Sequence, residues 1–360
     1  MIFISVGLPG RFSQWCDAVI AQLAGHSGAS VAVKPWPSLP DMLGHHAIAP
    51  TLDEVAYTLL CGGDTEHLVV GVRQPDTRLL AALADTNAPF VVSLDHPRTA
   101  AAEILAEINA EPRAVTRAVA NSCAPVLRYP SLPGALLVHA DGTRVDVAGT
   151  VLAFARHLGI GVSDAEIARI VERLPETCGV WSAAAQADPL PDAAGKIIGG
   201  AFAGYDECFA GRGLGSIVWT RELFILNGPN TPPIESFDIA GGARILVYGP
   251  YIHLPPGPWL ARVHLGVSQE AAGYTFLIDA YADGQLASVT LQPTRGGVYV
   301  TDLNFFLSES RGQGVEVRVT VMNDNATGQL AFGRVVLTPQ TARADTVTEV
   351  GQDFTAVLRL

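Results

Sequence analysis

ISVGLPGRFSQWCDAVIAQL, residues 4–23, decides how the first half of the chain folds. An apolar run ends in a turn holding Gly7, Pro9 and Gly10, and a helical pattern starts near Trp15. Free backbone N–H groups and the positive end of a helix dipole converge at such a turn, which is how many proteins hold an anion. The alternation continues downstream. Short apolar runs at 30–34, 67–72, 89–94 and 134–140 are interleaved with helical patterns at 51–60, 76–85, 98–108, 147–159 and 163–174. Strands apolar on both faces and separated by helices predict a parallel sheet covered on two sides, hence an α/β domain. Ser163 with Glu166 three residues on predicts a capped helix start, and Gly159 predicts the end of the helix before it.

From about residue 217 the apolar period becomes two. Trp259, Ala261, Val263, Leu265 and Val267 share one face of a strand while Arg262 and His264 take the other, and Val315, Val317, Val319 and Val321 repeat the scheme opposite Glu316, Arg318 and Thr320. Further strands are expected within 274–281, 297–306 and 329–337, separated by Gly-, Pro- and Asn-rich turns. This spacing predicts an antiparallel β-sandwich. The expected organisation is an α/β domain over 1–175, a connecting segment over 176–216, a sandwich over 217–342 and a tail or final strand over 343–360.

The chain has 360 residues, 49% of them hydrophobic and only 16% charged, which indicates packed globular structure. Its formal net charge of −12 opposes broad attraction to nucleic acid or an anionic membrane. Cys16, Cys61, Cys123, Cys178 and Cys208 are odd in number and without a CxxC pair, so reduced thiols are expected in place of a disulfide framework or zinc site. No leader pattern and no apolar run of about 18 residues appear, and the expected setting is cytoplasmic, with no membrane span.

Gly7, Pro9, Ser13 and Trp15, then Pro97 and Arg98 in APFVVSLDHPRTAAAEIL, resemble the bacterial sulfotransferases in order and spacing over roughly residues 1–175. That resemblance implies a P-loop-like fold and a site for phosphoadenosine phosphosulfate. It also exposes departures. Gly10 stands where the family has a basic residue and Phe12 where it has a second glycine, with Arg11 one place along. Asp95 stands where the family's phosphate-binding arginine belongs, and Glu103 where its serine belongs. Gly7, Gly10, Arg11, Ser13, Asp95, Arg98 and Glu103 therefore outline a vestigial donor site. Phe12 is expected to obstruct its cradle.

Residues 215–340 resemble the sandwich modules appended to bacterial surface-polysaccharide enzymes, which implies carbohydrate binding. Exposed aromatic planes complement the C–H faces of sugars. Among Trp219, Tyr248, Tyr251, Trp259, Tyr281 and Tyr299, Trp259 is expected in the core, while Tyr251 and Tyr281 are expected to face outward and bind carbohydrate. Together the resemblances imply a non-catalytic protein of bacterial polysaccharide or glycoconjugate production that binds a glycan or a polysaccharide-synthesis protein and needs no cofactor. Two alternatives stay open. One is an active sulfotransferase on a saccharide, using phosphoadenosine phosphosulfate, with Arg11, Ser13, His45 and His46 as candidate catalytic residues. The other is a protein-docking module without a small ligand. Arg73 is read as a plain surface or ion-paired arginine before an anion contact. Asp279, Asp302 and the turn at Asn323, Asp324 and Asn325 are read as structural, and no metal is expected.

Overall fold

The computed structural model describes residues 1–36, 42, 66–108, 110–140, 146–174, 192–209, 212–308, 314–324 and 326–340. It divides into two compact units, Met1–Pro191 and Asp192–Leu360.

In the first unit β1 (Ile2–Gly7), β2 (Val31–Trp36), β3 (His67–Val72), β4 (Phe90–Leu94) and β5 (Ala135–His139) form one sheet in the order β2-β3-β1-β4-β5. Every pairing is parallel. The helices are α1 (Arg11–Ala24), α2 (Thr77–Thr86), α3 (Pro97–Glu107), α4 (Pro112–Val126), α5 (Val147–His157) and α6 (Asp164–Arg173). Ser163 and Glu166 exchange side-chain bonds with each other's backbone N–H at the start of α6, and Gly159 takes a left-handed φ of 69° after α5. Both features were legible as cap signals. The helix expected at 51–60 lies outside the described residues.

One face of α1 builds the core. Phe12, Trp15, Cys16, Val19, Ile20 and Leu23 recur at helical spacing, are all buried, and pack with Phe154 of α5 and Ile170 of α6. Each such side chain contributes roughly 1.5–3 kcal/mol on burial. This corrects one expectation: Phe12 is fully buried against Trp15 and lies in the core instead of beside the cradle.

The second unit opens with α7 (Asp192–Phe209), inside the stretch read as a connection. Ile197, Ile198, Ala201, Phe202 and Tyr205 are its buried face. Two antiparallel sheets follow. The first has the order β13 (Gln285–Leu291), β12 (Phe276–Tyr281), β15 (Val315–Val321), β9 (Arg244–Tyr248), β7 (Ile225–Leu226), with β10 (Pro250–Ile252) also pairing β15. The second has the order β14 (Gly297–Leu307), β11 (Gly257–Val267), β16 (Gln329–Pro339), β6 (Ile217–Thr220), with β8 (Phe237–Asp238) on β16. Alternation on β11 and β15 matches the expected faces: Trp259, Ala261, Val263, Leu265 and Val267 are buried, as are the four valines of β15. The fold is thus a parallel-sheet α/β unit followed by a β-sandwich. No described helix is long and apolar enough to cross a membrane.

Candidate functional site

The carboxyl end of β1 lies between β3 and β4, where the strand order reverses, the place at which open α/β sheets hold ligands. Gly7 ends β1 because a side chain there would strike the hydroxyls of Ser93 and Ser13. Gly10 precedes α1 in extended conformation and offers no capping side chain, so the first N–H groups of the helix need an outside acceptor. Glu103 of α3 supplies it. Its Oε2 accepts from the Arg11 backbone N–H at 2.8 Å, and the Arg11 guanidinium turns to Glu107, with Nε–Oε1 also 2.8 Å. The start of α1 therefore carries an internal carboxylate where an anion would otherwise be accepted. Ser13 is buried and bonded to Ser93 at 2.7 Å, oxygen to oxygen.

Asp95 is buried at the carboxyl end of β4, 6% exposed, with Oδ1 accepting from the His96 N–H at 2.7 Å and Oδ2 without a partner. Burial first, and the Glu103 charge second, push its carboxyl up to about 7. Glu103 is itself raised by burial, against the pull of the Arg11 N–H and charge. Arg98 is exposed on α3. His45 and His46 lie outside the described residues, as do Cys61, Cys178, Asn325 and the segment 343–360.

Arg73, just past β3, is 3% exposed and ion-paired to Asp17 of α1, whose second oxygen accepts from the Ser5 hydroxyl. The pairing agrees with the reading of Arg73 from the sequence; its partner and its depth do not show there. A side chain at Gly71 would strike this carboxylate. Pro9, Arg11, Asp17, Arg73, Glu103 and Glu107 contribute to the wall of an adjoining cavity of about 200 Å³.

In the second unit the outer side of the β12–β15 pair gathers polar and aromatic groups. Tyr281 stands opposite Glu316 and Asp279 opposite Arg318. Arg318 donates to both Asp279 oxygens through Nε and Nη2, and its guanidinium carbon lies 4.0 Å from the Tyr281 ring centroid. The Tyr251 hydroxyl donates to the Glu316 carboxylate, which burial raises and this bond lowers. Tyr251 is 38% exposed and packs edge-on to Tyr248. Its φ of 63° is left-handed, a region that aromatic residues rarely enter. The fold thus brings the two tyrosines singled out from the sequence onto one face, linked through Glu316 and Arg318. Those two linkers were missed as site residues, although their alternation with buried valines on β15 places them outward.

Other candidates have structural partners. Asp302 forms a two-pronged pair with Arg262, both contacts 2.9 Å, and Asn323 accepts from the Thr275 N–H at 2.6 Å. Trp219 and Trp259 are core residues. Cys16, Cys123 and Cys208 form no disulfide among the described residues.

No protein-family model matches the chain, and no curated protein matches its sequence. Among solved structures, a mouse sulfotransferase, SULT7A1, complexed with PAP, is 12% identical over 48% of this chain and 64% of its own, with a TM-score of 0.35. The match thus spans less than two thirds of that enzyme. TmCBM61, solved in complex with β-1,4-galactotriose, is 13% identical over 35% of this chain and 88% of its own, TM-score 0.23. The Eiger TNF of S. frugiperda is 11% identical over 38% of this chain and 99% of its own, TM-score 0.22. The chain is similar to a sulfotransferase in part and to sandwich modules in part.

Proposed function

We propose that this chain is a glycan-binding protein whose sugar site is the Tyr251–Tyr281 face, and that its first unit is a sulfotransferase-like scaffold that no longer holds the donor nucleotide. The observation that carries the reading is Tyr251: an exposed aromatic ring kept in a left-handed conformation by its bond to Glu316 and by the close approach of Gly314, where a side chain would meet the Tyr251 backbone. Such conformations cost about 1–3 kcal/mol and persist where the surroundings over-determine them, as at ligand clamps. An aromatic plane beside a carboxylate and a guanidinium supplies both the stacking surface and the hydroxyl partners that a sugar requires.

Glycan-array binding by the full chain, repeated with Tyr251→Ala, tests this. Loss of one exposed aromatic anchor of about 1–2 kcal/mol lowers affinity roughly 5- to 30-fold, and Tyr281→Ala is expected to weaken binding less, because Arg318 already covers its ring. Retained capture of a protein partner with no glycan signal would favour docking instead.

The first unit is tested separately. A 3′- or 5′-phosphate entering the cradle meets Glu103 on the helix N-terminus and Asp95 beside it. Each like-charge pair costs on the order of a few kcal/mol at a partly solvated site, enough for a hundredfold or more in affinity. Calorimetric titration with phosphoadenosine phosphate is expected to give no measurable heat of binding. One-to-one micromolar binding would restore the enzyme reading.

A further inference from the structure

We propose that the Tyr251 face selects uncharged glycans and excludes sulfated and uronate-bearing ones; this rests on the glycan-binding reading above. The selection comes from the charges that the sheet carries. On β15, Glu316 and Arg318 are two residues apart and so share a side, with Tyr281 and Asp279 of β12 facing them across the ladder. Arg318 is the cluster's single cation, and Asp279 answers its charge through Nε and Nη2. Glu316 is a second carboxylate, bonded by the neutral hydroxyl of Tyr251. Two acids and one base leave the cluster at −1. Asp283, exposed two residues past Tyr281 in the turn to β13, adds the same sign. The remaining charged residue on the strands of this sheet is Arg244, in register with Val321. Val321 is five residues from Glu316, roughly 17 Å along the strand, which is beyond a Debye length of about 8 Å.

A neutral sugar suits this set. Its hydroxyls donate to Glu316 and accept from Arg318, and its C–H face rests on Tyr251. A sulfate ester or a uronate puts an anion where the hydroxyl would sit, within several ångströms of the Glu316 carboxylate, whose nearby cation Arg318 is already engaged by Asp279, and inside the field of a chain of net charge −12. Like charges at that distance weaken binding by roughly tenfold or more at low salt.

The experiment pairs each neutral oligosaccharide on an array with its O-sulfated derivative and titrates the best pair by calorimetry against the full chain. The neutral member is expected to bind about tenfold tighter, with the ratio shrinking as salt brings the Debye length to about 3 Å. Glu316→Gln should weaken neutral binding, because it alters the acceptor of the sugar hydroxyl, and still move the ratio toward one, because the sulfated member gains from loss of the charge. Because Glu316 is nearly buried, the exposed Asp283→Asn serves as a second variant and should lower the ratio by a smaller step. Equal or tighter binding of the sulfated member overturns the selection and leaves glycan binding standing. Absence of binding to either member removes glycan binding, and the selection with it.

Discussion

Arg73→Ala is expected to destabilise the first unit by about 3–5 kcal/mol, the cost of leaving one member of a buried ion pair without its partner. Arg73 is 3% exposed and Asp17 4%, so the carboxylate loses its counter-ion at a site largely shielded from bulk solvent. Among the described residues, the Ser5 hydroxyl remains as its sole side-chain donor. Burial already pushes the Asp17 carboxyl up, with Arg73 as the largest opposing pull, so removing Arg73 drives Asp17 further toward the protonated form. Replacing both members by apolar residues of similar volume removes the buried charges together. Asp17→Leu with Arg73→Met should therefore recover most of the loss. Urea unfolding of the full chain, followed by a probe in the first unit, measures both. A loss below about 1 kcal/mol for Arg73→Ala would mean that the pair behaves as a solvated surface pair.

What the sequence discloses about this fold follows from which signals are local. Strands β1, β3 and β4 were legible because burial on both faces makes each a near-continuous apolar run, the partly exposed edge strands β2 and β5 because valine, alanine and leucine dominate them, and β11 and β15 because one-face burial makes them alternate. Helices α4 and α7 were not read. The buried residues of α4 include Thr116, Ala118, Ala120, Ser122 and Ala124, small or polar side chains that give little contrast, although Glu111-Pro112 marks its start. In α7 glycine argued against a helix, yet Gly200 and Gly204 are what let it approach Val218 and Gly215, a tertiary reason invisible locally. At the site, the reversal of charge at Asp95 and Glu103 could be read by position. The bond from Glu103 to Arg11, across 92 residues, and the Asp17–Arg73 pair, across 56, belong to the folded chain alone. Phe12 was misplaced because its position in the turn motif suggested the cradle, whereas its spacing to Trp15, Cys16 and Val19 sets it on the core stripe.

Asp95→Asn is expected to stabilise the protein above neutral pH and to do nothing near pH 4. The sign follows from the direction of the shift. Asp95 rises from 3.8 to about 7 on folding, so its protonated form is the one that the fold prefers. Its favourable contribution is complete below the unfolded value, fades as pH rises, and is gone above about 7, where the folded state holds an ionised carboxylate with Oδ2 unpartnered. A shift from 3.8 to about 7 corresponds to about 4 kcal/mol at 1.36 kcal/mol per unit for this buried group. Asparagine keeps an oxygen for the His96 N–H and brings no charge, so roughly 2–4 kcal/mol should reappear at pH 8. Unfolding midpoints of both proteins across pH 4–8 decide it: a constant difference would place the Asp95 carboxyl at its ordinary value. The same titration bears on the proposed loss of donor binding, because protonating Asp95 removes one of the two like charges that a phosphate would meet at the β1–α1 turn. Exclusion of phosphoadenosine phosphate should therefore be weaker at pH 6 than at pH 8, and it should persist at pH 6 through Glu103, whose carboxylate is fixed to the Arg11 N–H at the mouth of the cradle.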